Sequence, residues 1–224
     1  MLRLPLPREA RTVLCLGAHS DDIEIGCGGT IIWLRAERPD LRFHWIVLSA
    51  PGDREHEARE SARLFLGHDH EGHTVAVEQF RDGFFPYDGG GIKEFFEALK
   101  HRVSPDLVFT HARWDRHQDH RIVNELTWNT FRDHFILEYE IPKYDGDLGT
   151  PNCFVPLDRA TGDRKVEHLL AAFPSQREKR WFTPDTFRAL LRLRGVESGT
   201  QDPYAEAYYA HKVILGGADT PGNP

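Results

Sequence analysis

Cysteine is scarce in this chain. Cys15, Cys27 and Cys153 are three among 224 residues, an odd number at no zinc-finger spacing, so a disulfide framework is not expected. Long apolar runs are missing as well. None approaches the roughly 20 residues a membrane helix needs, so no membrane span is expected. The N-terminal stretch MLRLPLPREAR has neither an h-region nor a small-residue cleavage site, which predicts no signal peptide and a cytoplasmic protein. No basic run is long enough to track a phosphate backbone. With 28 basic against 35 acidic residues the net charge is -7 and the pI about 6.0, so nucleic acid is not an expected partner. Repeats, low-complexity segments and linkers are absent too. The length then predicts one domain over residues 1–224, with an irregular C-terminal part (143–224) shaping the pocket. A homo-oligomer is left open.

Against these absences stands an alternation of strand-like and helix-like segments. Residues 12–18, LRFHWIVLS (41–49), HTVAVEQF (73–80), DLVFTH (106–111), HFILEYEIP (134–142) and CFVPLD (153–158) read as strands. Between and after them, TIIWLRAE (30–37), EHEARESARLFLG (55–67), IKEFFEALKHRV (92–103), QDHRIVNELTWNTF (118–131), DRKVEHLLAAF (163–173) and TPDTFRALLRLRG (183–195) read as helices. YAEAYYAHKVIL (204–215) reads as a helix end running into a strand. Strands alternating with helices of this length predict right-handed crossovers, and hence an α/β fold with a mostly parallel central sheet covered on both faces.

Thirteen histidines are many for the length, and two clusters combine them with acids. AHSDDIEIGCGGT (18–30) follows the first strand, and RWDRHQDH (113–120) follows DLVFTH. In a parallel sheet both clusters emerge at the carboxyl edge, where open sheets bind ligands. His19 and Asp22 supply a nitrogen and an oxygen at i, i+3, and His120 a second nitrogen from the other loop. Two imidazoles and a carboxylate leave an open position on zinc, the pattern of a catalytic site. Asp21, beside a ligand but not needed as one, is then the candidate general base. His117 would stabilise an oxyanion or protonate the leaving amine. Asp119 would fix a histidine tautomer.

These paired motifs resemble the LmbE-like or PIG-L deacetylases, whose hallmark is an A-H-P-D-D-E-like segment after the first strand with H-x-x-D-H in mid-chain. Here the two stand as AHSDDIEIGCGG and HQDH. The resemblance extends through DGFF (82–85), SPDLVFTH (104–111), SQ (175–176) and YAEAYY (204–209). It implies a Rossmann-like three-layer sandwich and a zinc hydrolase removing acetyl groups from an N-acetylated sugar or sugar conjugate. One Zn2+ per chain, or another divalent transition metal, would sit on His19, Asp22 and His120, with Asp21 as base. His117 is implied at the oxyanion with Asp119 behind it, and Arg54 and Asp82 at sugar hydroxyls. Ser20 replaces the usual proline. Asp115 stands where some relatives carry a tyrosine near the leaving group, which opens the identity of any auxiliary acid.

Several features read more plainly. GCGGT lacks the full G-x-G-x-x-G spacing and reads as a glycine turn letting backbone approach the metal loop. Glu24 reads as a helix-start charge or a residue behind the ligands, Cys27 as a packed thiol, and His111 as structural. GHDHEGH (67–73) reads as a solvated loop at the opposite edge, and Lys143 and RLRG (192–195) as surface charge. Two other functions remain open: a metal-dependent amidase on another amide such as a thiol conjugate, and a non-catalytic Rossmann-like binding module. Two-metal phosphoester chemistry would need a second set of bridging carboxylates that the sequence does not offer.

Overall fold

The computed structural model describes residues 1–67 and 72–214. His68, Asp69, His70 and Glu71 of the histidine-rich GHDHEGH stretch, and Leu215 at the end of YAEAYYAHKVIL, lie outside the described residues. The elements run β1 (Thr12–His19), α1 (Asp22–Glu37), β2 (Arg42–Ser49), α2 (Asp53–Leu66), β3 (Thr74–Val77), α3 (Gly89–Lys100), β4 (Leu107–His111), α4 (Gln118–Thr130) and β5 (Phe135–Tyr139). They continue with β6 (Cys153–Leu157), α5 (Arg159–Ala172), α6 (Pro184–Ser198) and β7 (Tyr204–Ala210). The strands form one seven-stranded sheet in the order β3-β2-β1-β4-β5-β7-β6. Strands β1 to β5 pair parallel, and β7 pairs antiparallel with both β5 and β6. The architecture is a Rossmann-like α/β sandwich with a mostly parallel sheet.

Strand β1 shows why its residues are apolar without alternation. Val13 and Cys15 face a core with Ile31, Phe65, Leu169 and Phe187 from α1, α2, α5 and α6. Leu14 and Leu16 face a second core with Phe96, Leu99 and Val123 from α3 and α4. Both faces of the sheet are covered, so both sets of side chains are apolar. The chain winds outward from β1 to β2 and β3, then returns to place β4 on the other side of β1. The order therefore reverses between β1 and β4, and that reversal opens a crevice at their carboxyl ends.

Two expectations need correction. GCGGT is not a turn: Gly26, Gly28 and Gly29 lie inside α1, which begins at Asp22. Their job is close packing. A Cβ would stand 2.2 Å from the Tyr139 ring at Gly26, 2.5 Å from Phe65 at Gly28 and 2.5 Å from Leu157 at Gly29. The close approach also admits a buried ion pair. Glu206 accepts from the N–H groups of Gly29 and Thr30 at 2.8 and 2.6 Å, and Lys165 Nζ donates to Glu206 and to the Ile25 carbonyl. Second, YAEAYYA is strand from its first residue, because pairing on both sides outweighs the helix preference of its alanines and glutamate. The C-terminal part is also more regular than expected, since β6 and β7 extend the same sheet and α5 and α6 pack on one face of it. No helix among the described residues is long and apolar enough to cross a membrane.

Candidate metal centre

His19 is the last residue of β1, and Asp22 opens α1 three residues later. Asp22 Oδ2 accepts from the His19 backbone N–H at 2.7 Å, which ties the strand end to the helix start. His111 ends β4 beside them, and α4 begins after His117, so the first turn of α4 carries Asp119 and His120 into the same crevice. His19 Nδ1 lies 3.2 Å from His120 Nε2 and 3.3 Å from Asp22 Oδ2, and His120 Nε2 lies 3.5 Å from Asp22 Oδ1. All three residues are buried.

The opposite ring nitrogens decide which atoms face inward. His19 Nε2 lies 3.2 Å from Asp119 Oδ2 and 3.2 Å from Asp82 Oδ1, and His120 Nδ1 lies 2.9 Å from Asp115 Oδ2. Each carboxylate claims a ring N–H, so in the neutral rings His19 Nδ1 and His120 Nε2 both present lone pairs. With both rings neutral, two lone pairs and the Asp22 carboxylate converge; with His19 charged, its Nδ1–H donates into the same space, and a cation bound there would take that proton's place. Four-coordinate zinc with bonds of about 2.0–2.1 Å sets its ligand atoms about 3.3–3.4 Å apart. The two ring nitrogens at 3.2 Å, and the Asp22 carboxylate with Oδ2 3.3 Å from His19 and Oδ1 3.5 Å from His120, lie close to that requirement. Burial works against a charged His19, but Asp119, Asp22 and Asp82 outweigh it and hold its pKa well above the ordinary range. Burial and His111 lower His120 to about 4. Burial also opposes ionised Asp22, yet the surrounding histidines, His120 first, hold it well below the usual range.

Asp21 immediately precedes α1 in the crevice, its side chain making no capping bond, and Arg54 Nη2 from the first turn of α2 donates to its Oδ1 at 2.8 Å. Burial pushes the Asp21 carboxyl up and Asp22 adds to this, with Arg54 opposing. His117 is the N-cap of α4. Its Nδ1 accepts from the Asp119 N–H at 3.3 Å, which leaves the proton of the neutral ring on Nε2. Burial and the neighbouring His19 lower its pKa, favouring that neutral form. Asp82 is half exposed at the rim.

Asp119 does not stand behind His117. Its carboxylate accepts from the N–H groups of Gly83 and Phe85 at 2.6 and 3.1 Å and lies against His19, so the loop after β3 fixes it on the β1 side. Lys143 is not a surface charge. Its side chain is 10% exposed, with Nζ 3.0 Å from Asp115 and 2.6 Å from Asp147. Arg194 of RLRG is likewise buried, paired with Glu140 at 2.7 Å. His111 Nε2 accepts from the Ala18 N–H at 3.0 Å, which takes up the lone pair a metal would need, although the ring stacks on His120 at 3.9 Å. Glu24 is buried in the first turn of α1, and burial holds its carboxyl well above the usual range. Cys27 is a buried residue of α1, with its Sγ–H on the Ile23 carbonyl one turn earlier. His73, at the edge of the histidine-rich stretch, accepts from the Phe43 N–H. Sequence alone missed the partner of Asp115. Its one signal was an aspartate two residues before the N-cap of α4, where it accepts from the His117 N–H at 2.8 Å.

The profile of the family described as PIG-L: GlcNAc-PI de-N-acetylase matches residues 14–131, more than half of the chain and both clusters. The chain belongs to the PIG-L family. The "Uncharacterized deacetylase YaiS" of Escherichia coli (strain K12) is 27% identical over 146 residues, covering 58% of this chain and 74% of that protein. Among PIG-L-like folds, the N,N'-diacetylchitobiose deacetylase of Pyrococcus horikoshii superposes with a TM-score of 0.68 at 22% identity, covering 90% of this chain and 84% of its own. The 4-carboxy-2-hydroxymuconate hydratase GalB of Pseudomonas putida KT2440 also superposes at 0.68, with 18% identity over 92% and 98% of the two chains. The PIG-L fold therefore does not by itself decide the reaction.

Proposed function

We propose that this chain is a zinc-dependent hydrolase that removes the acetyl group from an N-acetylated amino sugar or sugar conjugate. The observation that carries the reading is the buried convergence of His19 Nδ1, His120 Nε2 and the Asp22 carboxylate, 3.2–3.5 Å apart, close to the spacing that zinc ligands take. Membership of a de-N-acetylase family supports the same reading. Zinc bound there would supply Lewis acidity, polarising the amide carbonyl and lowering the pKa of a water toward about 7.

The chain's own residues supply the remaining chemistry. Asp21 takes a proton from the attacking water and passes it to the departing amine. Arg54 holds Asp21 Oδ1, leaving Oδ2 for that transfer. His117 donates its Nε2–H to the carbonyl oxygen as negative charge develops there, the role of an oxyanion donor. Asp119 keeps the His19 proton on Nε2. Asp82 and the remaining guanidinium donors of Arg54 are the groups placed to meet sugar hydroxyls. The products are acetate and a free amine.

The test is metal analysis of the purified protein combined with acetate release from a panel of N-acetyl sugars, sugar nucleotides and glycolipids. About one zinc per chain and chelator-sensitive release from at least one substrate are expected. Full amidase activity in a metal-free preparation overturns the reading. Hydration of an unsaturated acid without acetate release from any of the panel would move the chain toward the reaction carried by the hydratase relative.

A further inference from the structure

Asp115 takes no part in the chemistry above, and its geometry excludes it as an auxiliary acid. It is 3% exposed, and both of its oxygens are occupied. Oδ1 accepts from the His117 N–H at 2.8 Å, and Oδ2 from His120 Nδ1 at 2.9 Å and Lys143 Nζ at 3.0 Å. Lys143 in turn pairs with Asp147 at 2.6 and 2.8 Å, and Asp147 Oδ2 accepts from the Arg116 N–H at 2.7 Å. The contacts close a ring from Asp115 through Lys143 and Asp147 back to the neighbour of Asp115. The segment that supplies Lys143 and Asp147 is pinned where it leaves the sheet. Glu140 accepts from the Gly149 N–H at 2.9 Å, from the Tyr209 hydroxyl at 2.6 Å and from Arg194.

We propose that Asp115 is the positioning residue for His120, and that Lys143 and Asp147 lock it in place, so that the segment after β5 sets how tightly the centre holds its metal. This rests on the metal reading of the same centre. One carboxylate orients two histidines of the loop: it fixes the ring of His120 and the backbone from which His117 enters α4. A neutral imidazole has one proton, and an acceptor on Nδ1 keeps that proton away from Nε2, the atom facing His19 and Asp22. Without Asp115 the ring is free to turn and to carry its proton on Nε2, which closes the lone pair to a cation. Lys143 acts one step further out. It holds Oδ2 in line with His120, so its removal leaves the acceptor present but free to rotate.

Wild type, Asp115→Ala and Lys143→Met are compared by competition for zinc against a chromophoric chelator, with thermal melting of each metal-free form and proton–nitrogen spectra of the His120 ring. Asp115→Ala is expected to bind zinc about 10–100-fold more weakly, and Lys143→Met by a smaller factor. In metal-free wild type at neutral pH, His120 is expected as the Nδ1-protonated form, with mixed tautomers in Asp115→Ala. If Asp115→Ala does not fold, Asp115→Asn replaces it. Wild-type zinc affinity in both variants overturns the proposal even where melting temperatures fall, and so does an Nε2-protonated His120 in the wild type. A wild type that binds no zinc fails the metal reading instead, and the His120 spectrum still decides whether Asp115 sets the ring.

Discussion

Gly26 lies beneath the ring of Tyr139, so close that a Cβ would stand 2.2 Å from Cδ2. The Tyr139 hydroxyl donates to the Leu16 carbonyl at 2.6 Å, so the ring cannot step aside without breaking that bond. Gly26→Ala is expected to destabilise the protein by about 3 kcal/mol, the upper end for overpacking a core. Gly90→Ala, where nothing lies within 4 Å, is expected to be neutral or stabilising by a few tenths of a kcal/mol. Urea unfolding of both variants checks the contrast, and equal losses would mean that α1 shifts to accommodate the methyl group.

Asp21→Asn keeps the shape of the side chain and removes the proton acceptor. Turnover is expected to fall about 10²–10⁴-fold while zinc content stays at the wild-type level. Kinetics and metal analysis on the same preparation check this, and a loss of zinc in the variant would instead make Asp21 a ligand.

His117→Ala is expected to retain zinc and to lower kcat about 10²–10³-fold with little change in KM, because the lost hydrogen bond strengthens only as the oxyanion forms. Loss of the N-cap of α4 adds about 1 kcal/mol of destabilisation, measurable by chemical unfolding. A rise in KM at unchanged kcat would mean that His117 serves binding.

Lys165→Met leaves Glu206 buried beside the backbone of α1 without its cation. Breaking a buried pair from one side costs about 3–5 kcal/mol. Replacing both residues, as Lys165→Met with Glu206→Gln, is expected to recover part of that loss, and a double-mutant cycle on unfolding free energies reads the coupling.

The parallel half of the fold was readable because both faces of its strands are covered, so apolar runs such as TVLCLG had no other reading. The two halves of the centre were readable for a related reason: β1 and β4 are neighbours, and the residues ending them must share an edge. The glycines of α1 misled because a local reading prices glycine as a helix breaker, whereas Tyr139, Phe65 and Leu157 arrive from distant sequence and need the space. Asp119 misled in the same way. Its spacing suits His117, but the N–H groups of Gly83 and Phe85, more than thirty residues earlier, fix it toward His19. Lys143 carried no local signal, since its burial is set by Asp115 and Asp147 together.

Strands β1 and β4 meet through only three residue pairs, Val13 to Leu107, Leu14 to Val108 and Cys15 to Phe109, against seven between β1 and β2. The seam between the two halves of the sheet is thus stitched as thinly as the β5–β7 joint, which also has three pairs, and His19 and His120 face each other at its end across a separation of 101 residues. An ion held there, on the proposed reading, clasps the two halves like a reversible covalent tie. Closing a loop of that length removes chain entropy worth about 4–5 kcal/mol in the comparable case of a disulfide. Stripping zinc would then silence the reaction and loosen the seam of a sheet that stays folded.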